Sequence, residues 1–176
     1  MPRLIIISGC SGGGKSTLID ALRRSGEAVI EEPGRRVIAA ERASGGNALP
    51  WTDLAGFLRK AIALSLSDLA EVRHLNGPVF LDRGLIDAAV ALEYLTGLPM
   101  TETIGTARFH PLIFLAPPWP EIYGKDADRR HDMAEAVAEY ERLEAAYHRL
   151  GYSVSILPRA SVTERMAFIR DAIAGT

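Results

Sequence analysis

A glycine-rich run near the amino terminus has the composition of a phosphate-binding loop. Residues 9–16 read Gly-Cys-Ser-Gly-Gly-Gly-Lys-Ser and satisfy the pattern G-x-x-x-x-G-K-S in full. Such glycines let the backbone curl so that successive N–H groups point at phosphate oxygens. The Lys15 side chain is expected to reach the β- and γ-phosphates, and the Ser16 hydroxyl to complete a magnesium shell. The nucleotide-binding residues predicted here are Gly9, Gly12, Gly13, Gly14, Lys15, Ser16 and Thr17.

The position of this run favours the phosphate-loop interpretation. The run directly follows the apolar residues 4–7 and precedes a helix predicted over 15–24. A strand, a loop and a helix in that order bring the loop amides and the positive end of the helix to one point. The alternative is a glycine-rich turn that only joins the strand to the helix. The sequence therefore predicts a site for ATP or GTP with Mg²⁺ at the end of the first strand.

Two carboxylates, Glu31 and Glu32, follow the second predicted strand, residues 28–30. In open α/β sheets, ligands bind outside the carboxyl ends of the strands, so a carboxylate there can accept a proton from a substrate hydroxyl. Glu32 is the candidate base, and the adjacent Glu31 leaves the register open. The alternative is a solvated carboxylate, or a partner for Arg35 or Arg36.

An acid and an arginine, Asp82 and Arg83, follow the third predicted strand, residues 79–81. The acid has the position of a Walker B aspartate, which helps to hold the metal ion in P-loop proteins. Asp82 is therefore predicted to bind Mg²⁺ together with Ser16, with Arg83 beside it. The alternative for Asp82 is an N-cap of the helix that begins near residue 85.

A polar segment with two arginines follows the fourth predicted strand. Residues 124–132 read Gly-Lys-Asp-Ala-Asp-Arg-Arg-His-Asp. P-loop enzymes that transfer phosphate place a mobile lid here, and arginines of a lid stabilise charge on the transferring phosphoryl group. We therefore predict a lid over 118–132, with Arg129 and Arg130 as its catalytic residues. The alternative is a solvated polar loop.

Short apolar strands alternate with amphipathic helices along the chain. Runs of β-branched and aromatic residues without polar alternation are typical of strands buried on both faces of a parallel sheet. The alternation predicts an α/β fold of three layers, the P-loop NTPase fold, with a five-stranded parallel sheet between helices. The predicted strands are 4–7, 28–30, 79–81, 112–116 and 154–157. The predicted helices are 15–24, 33–42, 52–76, 85–96, 132–150 and 163–174, the third with Thr52 as its N-cap.

Length and composition limit the class of protein. The 176 residues, 48% of them hydrophobic, suit a single domain over 1–176, and a net charge of −2 disfavours non-specific binding to nucleic acid. Cys10 is the single cysteine and is interpreted as a small residue that fits the loop, while the histidines lack metal-ligand spacing. Trp51 and Trp119 are interpreted as packing residues, with base-stacking platforms as the alternative, since both fall near the expected ligand face. With no apolar run long enough to span a bilayer, we expect a cytoplasmic protein.

These residues together resemble a family of small bacterial AAA-like P-loop ATPases, whose characterised relatives are ribosylnicotinamide kinase domains and other nucleoside or nucleotide kinases. Besides the phosphate loop, the resemblance rests on Glu-Pro-Gly-Arg (32–35), Phe-Leu-Asp-Arg-Gly (80–84), Phe-Leu-Ala-Pro-Pro-Trp (114–119) with Ile-Tyr (122–123), and Leu-Pro-Arg-Ala-Ser-Val-Thr-Glu-Arg (157–165). It implies that Glu32 acts as the base and that Arg83 binds phosphate. It also implies that the loop 158–161, which contains Arg159, holds adenine.

The function predicted from these features is ATP-dependent transfer of a phosphoryl group to a small molecule, a nucleoside or a nucleotide. The loop amides, Lys15, Mg²⁺ and the lid arginines would position ATP and neutralise charge, and Glu32 or Asp82 would take the hydroxyl proton. Two alternatives are an ATP hydrolase without an acceptor and a nucleotide-dependent switch that binds a protein. The switch is disfavoured because the sequence contains no Asn-Lys-x-Asp stretch for guanine selection. Residues 32–68 are expected to select the acceptor.

Overall fold

The computed structural model describes residues 1–122 and 133–175, and within them strands alternate with helices. The strands are β1 (Pro2–Gly9), β2 (Ala28–Ile30), β3 (Gly77–Asp82), β4 (Leu112–Ala116) and β5 (Ser153–Ile156). The helices are α1 (Lys15–Arg24), α2 (Pro33–Ser44), α3 (Leu54–Val72), α4 (Leu85–Thr96), α5 (Met100–Ile104), α6 (Met133–Arg149) and α7 (Val162–Ala174), with a 3₁₀ turn at Pro120–Ile122.

The five strands form one parallel sheet in the order β2-β3-β1-β4-β5. Because β1 is central, Ile5, Ile6 and Ile7 have no exposed surface. Ile6 packs with side chains of α4, α5 and α6 on one face, whereas Ile5 and Ile7 pack with α1 and α7 on the other. Helices thus cover both faces of the sheet, and the predicted three-layer α/β fold with a five-stranded parallel sheet is confirmed.

The register of the central strands brings two predicted site segments together. Ile7 of β1 pairs with Asp82, the last residue of β3, and the Arg83 N–H donates to the Ile7 carbonyl at 3.0 Å. On the other side of β1, Gly9 pairs with Ala116 at the end of β4. The carboxyl ends of β1, β3 and β4 therefore meet where the glycine-rich loop begins.

The element boundaries differ from the sequence predictions in a few places. Helices α1 and α4 have the predicted bounds, but α5 was not predicted because it is short and follows the break at Gly97. Thr52 was wrongly predicted as the N-cap of α3: Asp53 occupies that position, and its carboxylate accepts from the Gly56 N–H at 2.9 Å.

Of the lid predicted over 118–132, residues 123–132 lie outside the described residues. Among the described helices, none combines the length and apolar composition needed to cross a membrane.

The close contact between β1 and β4 yields a prediction about Gly9. An added Cβ at Gly9 would lie 2.2 Å from the Ala116 carbonyl oxygen, and φ at Gly9 is +124°. We expect Gly9→Ala to lower the free energy of unfolding by about 3 kcal/mol or more, because the Ala116 backbone cannot move aside as a flexible side chain could. Equilibrium urea denaturation measures this loss.

The matched control is Gly26→Ala. Gly26 also has a positive φ, +91°, but an added Cβ would meet no atom within 4 Å. Its expected cost is about 1–2 kcal/mol, from the left-handed backbone alone. Equal losses in the two variants would contradict the proposed clash at Gly9.

Candidate active site

A cavity of about 380 Å³ opens at the carboxyl edge of the sheet. Three groups of residues line it: the glycine-rich loop with the start of α1, residues that follow β2 and β3, and a wall formed by Trp119 after β4 and by residues at the start of α7. The lining residues are Ser11, Gly12, Gly14, Lys15, Ser16, Thr17, Glu32, Arg35, Arg83, Trp119, Ala160, Ser161, Val162 and Arg165. The structure therefore brings together most of the predicted site residues around one cavity.

Lys15 is buried at the base of the glycine-rich loop, with 7% of its surface exposed. Its ammonium donates to the Cys10 carbonyl at 2.6 Å, so the side chain bends back across the loop. Burial lowers the pKa of Lys15, and Arg83 lowers it further, whereas nearby carboxylates such as Asp82 oppose the shift. A phosphate in the cavity would supply the negative charge that favours the ammonium form.

The loop glycines have different roles. Gly12 and Gly14 line the cavity and have φ of +82° and +71°, a backbone conformation that favours glycine. Gly9 and Gly13 do not line it: added Cβ atoms there would meet Ala116. Gly9 and Gly13 therefore have a packing role against Ala116, and the phosphate-binding role of the four glycines stays a prediction. Cys10 has no exposed surface, in agreement with its interpretation as a residue that fits the loop.

Asp82 is a buried carboxyl group behind the cavity. Burial raises its pKa to about 6, and the Glu32 carboxylate acts in the same direction. Its Oδ1 atom has no hydrogen-bond partner among the described residues. Gly84, not Asp82, is the N-cap of α4, and α4 has no side-chain cap, so the alternative role of Asp82 as a cap is wrong.

The magnesium prediction can be tested against this chemistry. Within the described residues, no group of three or more His, Cys, Asp or Glu side chains could hold a metal ion. Mg²⁺ does not require such a group, because it keeps several waters and uses one or two protein ligands plus substrate phosphates. The buried Asp82 Oδ1 and the Ser16 hydroxyl on the cavity wall are oxygen ligands of the kind it prefers. The residues present therefore fit Mg²⁺ bound with a nucleotide.

Arg83 lies between two carboxylates. Its guanidinium donates to Glu139 of α6 at 2.7 Å, and its Nε lies 3.8 Å from Glu32 Oε1. Burial alone would lower the pKa of Arg83, but these two carboxylates and Asp87 raise it above its usual value. Its φ of +58° is the one positive value at a non-glycine residue in the described chain, and Arg83 is among the residues that line the cavity.

The two adjacent glutamates point to different environments. Glu31 is exposed and pairs with Arg23 of α1 at 2.9 Å, away from the cavity lining. Glu32 is half-buried, lines the cavity and accepts from Arg35 at 3.1 Å. The alternative of an ion pair with Arg35 is thus also present, so Glu32 is both a paired carboxylate and a residue of the cavity.

Other predicted residues lie off the cavity or outside the described part of the chain. Arg159 is exposed, does not line the cavity and donates to the Pro118 carbonyl. Its neighbours 160–162 line the cavity instead. Arg129 and Arg130, the predicted lid arginines, lie outside the described residues. Trp119 was interpreted as a packing residue, but it forms part of the cavity wall.

Sequence reasoning missed a buried network behind the loop. Asp87 of α4 accepts hydrogen bonds from the Ser8 hydroxyl and from the Tyr147 hydroxyl of α6, the latter at 2.9 Å. Burial raises the pKa of Asp87, although Arg83 and both hydrogen bonds oppose the shift. Ser8 in an apolar strand and Asp87 in an apolar helix were the available signals, since buried polar groups require partners. The network connects β1, α4 and α6.

Asp82 supplies a prediction about stability in metal-free protein. A carboxyl whose pKa rises from 3.8 to about 6 on folding stabilises the fold when protonated, and this contribution is lost as pH rises through 6. Asp82→Asn removes the ionisation, so at pH 7.5 we expect the variant to be more stable than wild type, by up to about 3 kcal/mol. Urea denaturation in EDTA at pH 4 and pH 7.5 measures the difference. A gain of equal size at both pH values would contradict the assignment to Asp82.

Known proteins resemble this chain in sequence and in fold. A family model described as an AAA domain, AAA_28, matches residues 4–165, whereas no curated protein matches the sequence significantly. Deoxyadenosine kinase from M. mycoides with bound dATP superposes with a TM-score of 0.63 at 14% identity, over 98% of this chain and 99% of that chain. The same kinase with dCMP and dCDP bound gives 0.62 at 14% identity, over 99% and 100%.

A third solved structure is the NadR protein in complex with NR. Its TM-score is 0.65 at 25% identity, over 91% of this chain and 47% of that chain, so the chain spans about half the length of NadR. These likenesses agree with the five-stranded parallel sheet and with the glycine-rich loop at the carboxyl end of β1. The chain belongs to the AAA domain family and has the fold of P-loop kinases.

Proposed function

We propose that the protein transfers a phosphoryl group from ATP to a hydroxyl group of a small molecule, a nucleoside or a nucleotide. One observation carries the proposal: a single cavity joins the phosphate loop and Lys15 to the half-buried carboxylate of Glu32. A carboxylate beside the phosphate site can accept the proton of an attacking hydroxyl group, as a transferase requires. The nucleoside class is supported by the fold likeness to a deoxyadenosine kinase and to NadR.

The loop and Lys15 would act on the phosphates. Phosphoryl transfer has little covalent chemistry for a protein to perform, so catalysis is mostly positioning and neutralisation of charge. The cavity presents the start of α1, where backbone N–H groups have no acceptor inside the helix, together with the buried Lys15 ammonium. The N–H groups of α1 are in place before the ligand arrives, which limits reorganisation, whereas Lys15 would exchange its bond to the Cys10 carbonyl for one to phosphate.

Glu32 would accept the proton from the acceptor hydroxyl. Its carboxylate is held by Arg35 at 3.1 Å and faces Arg83 at 3.8 Å, so the two guanidinium groups restrict its orientation. Asp82 is less suited to this step because it does not line the cavity. Asp82 and Ser16 would instead hold Mg²⁺, which when bound neutralises phosphate charge.

The first test is an acceptor screen. Nucleosides and nucleoside monophosphates are incubated singly with ATP and Mg²⁺, and products are identified by mass. We expect one group of acceptors to gain a phosphoryl group, and Lys15→Ala to lose this activity while remaining folded, because alanine is a good helix former. Phosphate release that no acceptor suppresses or converts into a phosphorylated product would favour the hydrolase.

The second test separates the adjacent glutamates. With an acceptor from the screen, Glu32→Gln should lower kcat by on the order of a hundredfold or more, because the amide cannot take the hydroxyl proton. Glu31→Gln is the matched control, and its kcat should stay near that of wild type because Glu31 is exposed and pairs with Arg23. The opposite result would mean that the base has been assigned to the wrong glutamate.

A further inference from the structure

Arg165, on the first turn of α7, contacts the backbone of the phosphate loop and also lines the cavity. Its two terminal nitrogens donate to the carbonyl oxygens of Gly14 at 3.0 Å and Gly13 at 3.1 Å. The side chain is almost fully buried, with 2% exposed surface, and its guanidinium also lies 5.8 Å from the Trp119 ring. An arginine thus binds two successive carbonyl groups of the loop in a forked arrangement.

These two bonds help to fix the direction of two N–H groups. The Gly14 carbonyl also accepts from the Leu18 N–H of α1 at 3.4 Å, so the helix holds that peptide group as well. In a trans peptide, the carbonyl of one residue and the N–H of the next point in opposite directions, and no described peptide bond is cis. When Arg165 holds the carbonyls of Gly13 and Gly14, the N–H groups of Gly14 and Lys15 must point away from it. Lys15 is the first residue of α1, so its N–H has no acceptor within the helix.

We propose that Arg165 is a positioning residue that fixes the phosphate loop in its anion-binding conformation before a ligand enters. The proposal rests on the cavity binding a polyphosphate, as the proposed function requires, but not on any transfer step.

The composition of the loop explains why such an anchor matters. Gly12, Gly13 and Gly14 are consecutive, and glycine loses more backbone freedom on ordering than any other residue. Without an anchor, that loss would fall on the binding step and weaken affinity for the anion. Hydrogen bonds to a charged donor are stronger than neutral ones, and they also polarise the peptide groups that carry the N–H donors.

The burial of Arg165 supports a functional placement. Burial lowers the pKa of Arg165, and its Nε has no hydrogen-bond partner among the described residues. An incompletely paired buried cation is unfavourable for folding. The same positive charge, held beside the phosphate loop at the cavity, is favourable for binding an anion there.

Calorimetry with inorganic tripolyphosphate tests the proposal without a nucleoside or an acceptor. Arg165→Met keeps the length and apolar packing of the stem but removes the fork, and it should weaken binding by on the order of tenfold or more. Arg165→Lys keeps the charge but loses the fork, so its affinity should lie between those of Arg165→Met and wild type. If Arg165→Met does not fold, the proposal is tested with Arg165→Lys alone. A tripolyphosphate affinity of Arg165→Lys equal to that of wild type would then overturn the proposal.

Arg170→Met is the matched control on the same helix. Arg170 donates to Ser25 at 2.9 Å and to Glu27 at 3.2 Å, and thus joins α7 to the segment after α1 without contacting the loop. We expect its tripolyphosphate affinity to stay within about twofold of wild type, because surface ion pairs contribute little. A loss equal to that of Arg165→Met would mean that the docking of α7, not the loop contact, is responsible.

A second measurement separates positioning from direct contact, since Arg165 also lines the cavity. In ligand-free protein, ¹⁵N relaxation should show lower order parameters for the amides of Gly14 and Lys15 in Arg165→Met than in wild type. Weaker binding with unchanged amide order would overturn positioning in favour of direct contact. Failure of wild type to bind tripolyphosphate would also overturn the proposal. Wild type that binds it but phosphorylates no acceptor contradicts the proposed function alone.

Discussion

The parallel pairing of β1 with β3 on one side and β4 on the other determines where every candidate group lies. A shift of one residue in the β1–β3 register would move Asp82 away from Ile7 and turn its side chain to the opposite face of the sheet. The β1–β4 contact is equally restrictive, because the Ala116 carbonyl occupies the space of a Cβ at Gly9. The first glycine of the loop is therefore held against the end of β4.

This arrangement gathers charges that are unfavourable for folding. Lys15, Asp82 and Asp87 are buried near one another, and burial shifts the pKa of each toward the value that favours its neutral form. The proposed ligands carry the complementary charges: phosphate opposite Lys15, and Mg²⁺ opposite Asp82. Ligand binding would then offset a cost that the free protein bears. A site that is destabilised in the free state and satisfied in the bound state is typical of functional positions.

Much of the fold was predictable because the chain gives strong local signals. The run at residues 4–7 has no polar alternation, which predicts a strand buried on both faces, and the motif that follows it has a known strand-loop-helix context. By contrast, α5 gave no periodic signal over its five residues. The different environments of Glu31 and Glu32 could not be predicted from the sequence either. They depend on where β2 ends relative to α1, because Arg23 of α1 pairs with Glu31.

The polar groups missed by sequence reasoning share one property: their partners are distant in the chain. Arg165 binds carbonyls about 150 positions earlier, and Tyr147 binds Asp87 across the packing of α6 on α4. Every residue has a backbone carbonyl, so the sequence does not indicate which carbonyls bind a side chain. An arginine that binds them therefore looks like any other arginine on an amphipathic helix. Only the folded arrangement reveals such a role.

Three backbone carbonyl groups of the loop bind two cationic side chains, and several loop residues line the cavity. The Lys15 ammonium binds the Cys10 carbonyl, and the Arg165 guanidinium binds the carbonyls of Gly13 and Gly14. Carbonyl oxygens facing a bound phosphate would repel it. Hydrogen bonds from cations to these oxygens reduce that electrostatic repulsion. Arg165 is held between the loop and Trp119. Under the proposed function the two cations would have different tasks: Arg165 would keep the Gly13 and Gly14 carbonyls engaged throughout, and Lys15 would release the Cys10 carbonyl when a phosphate competes for its charge.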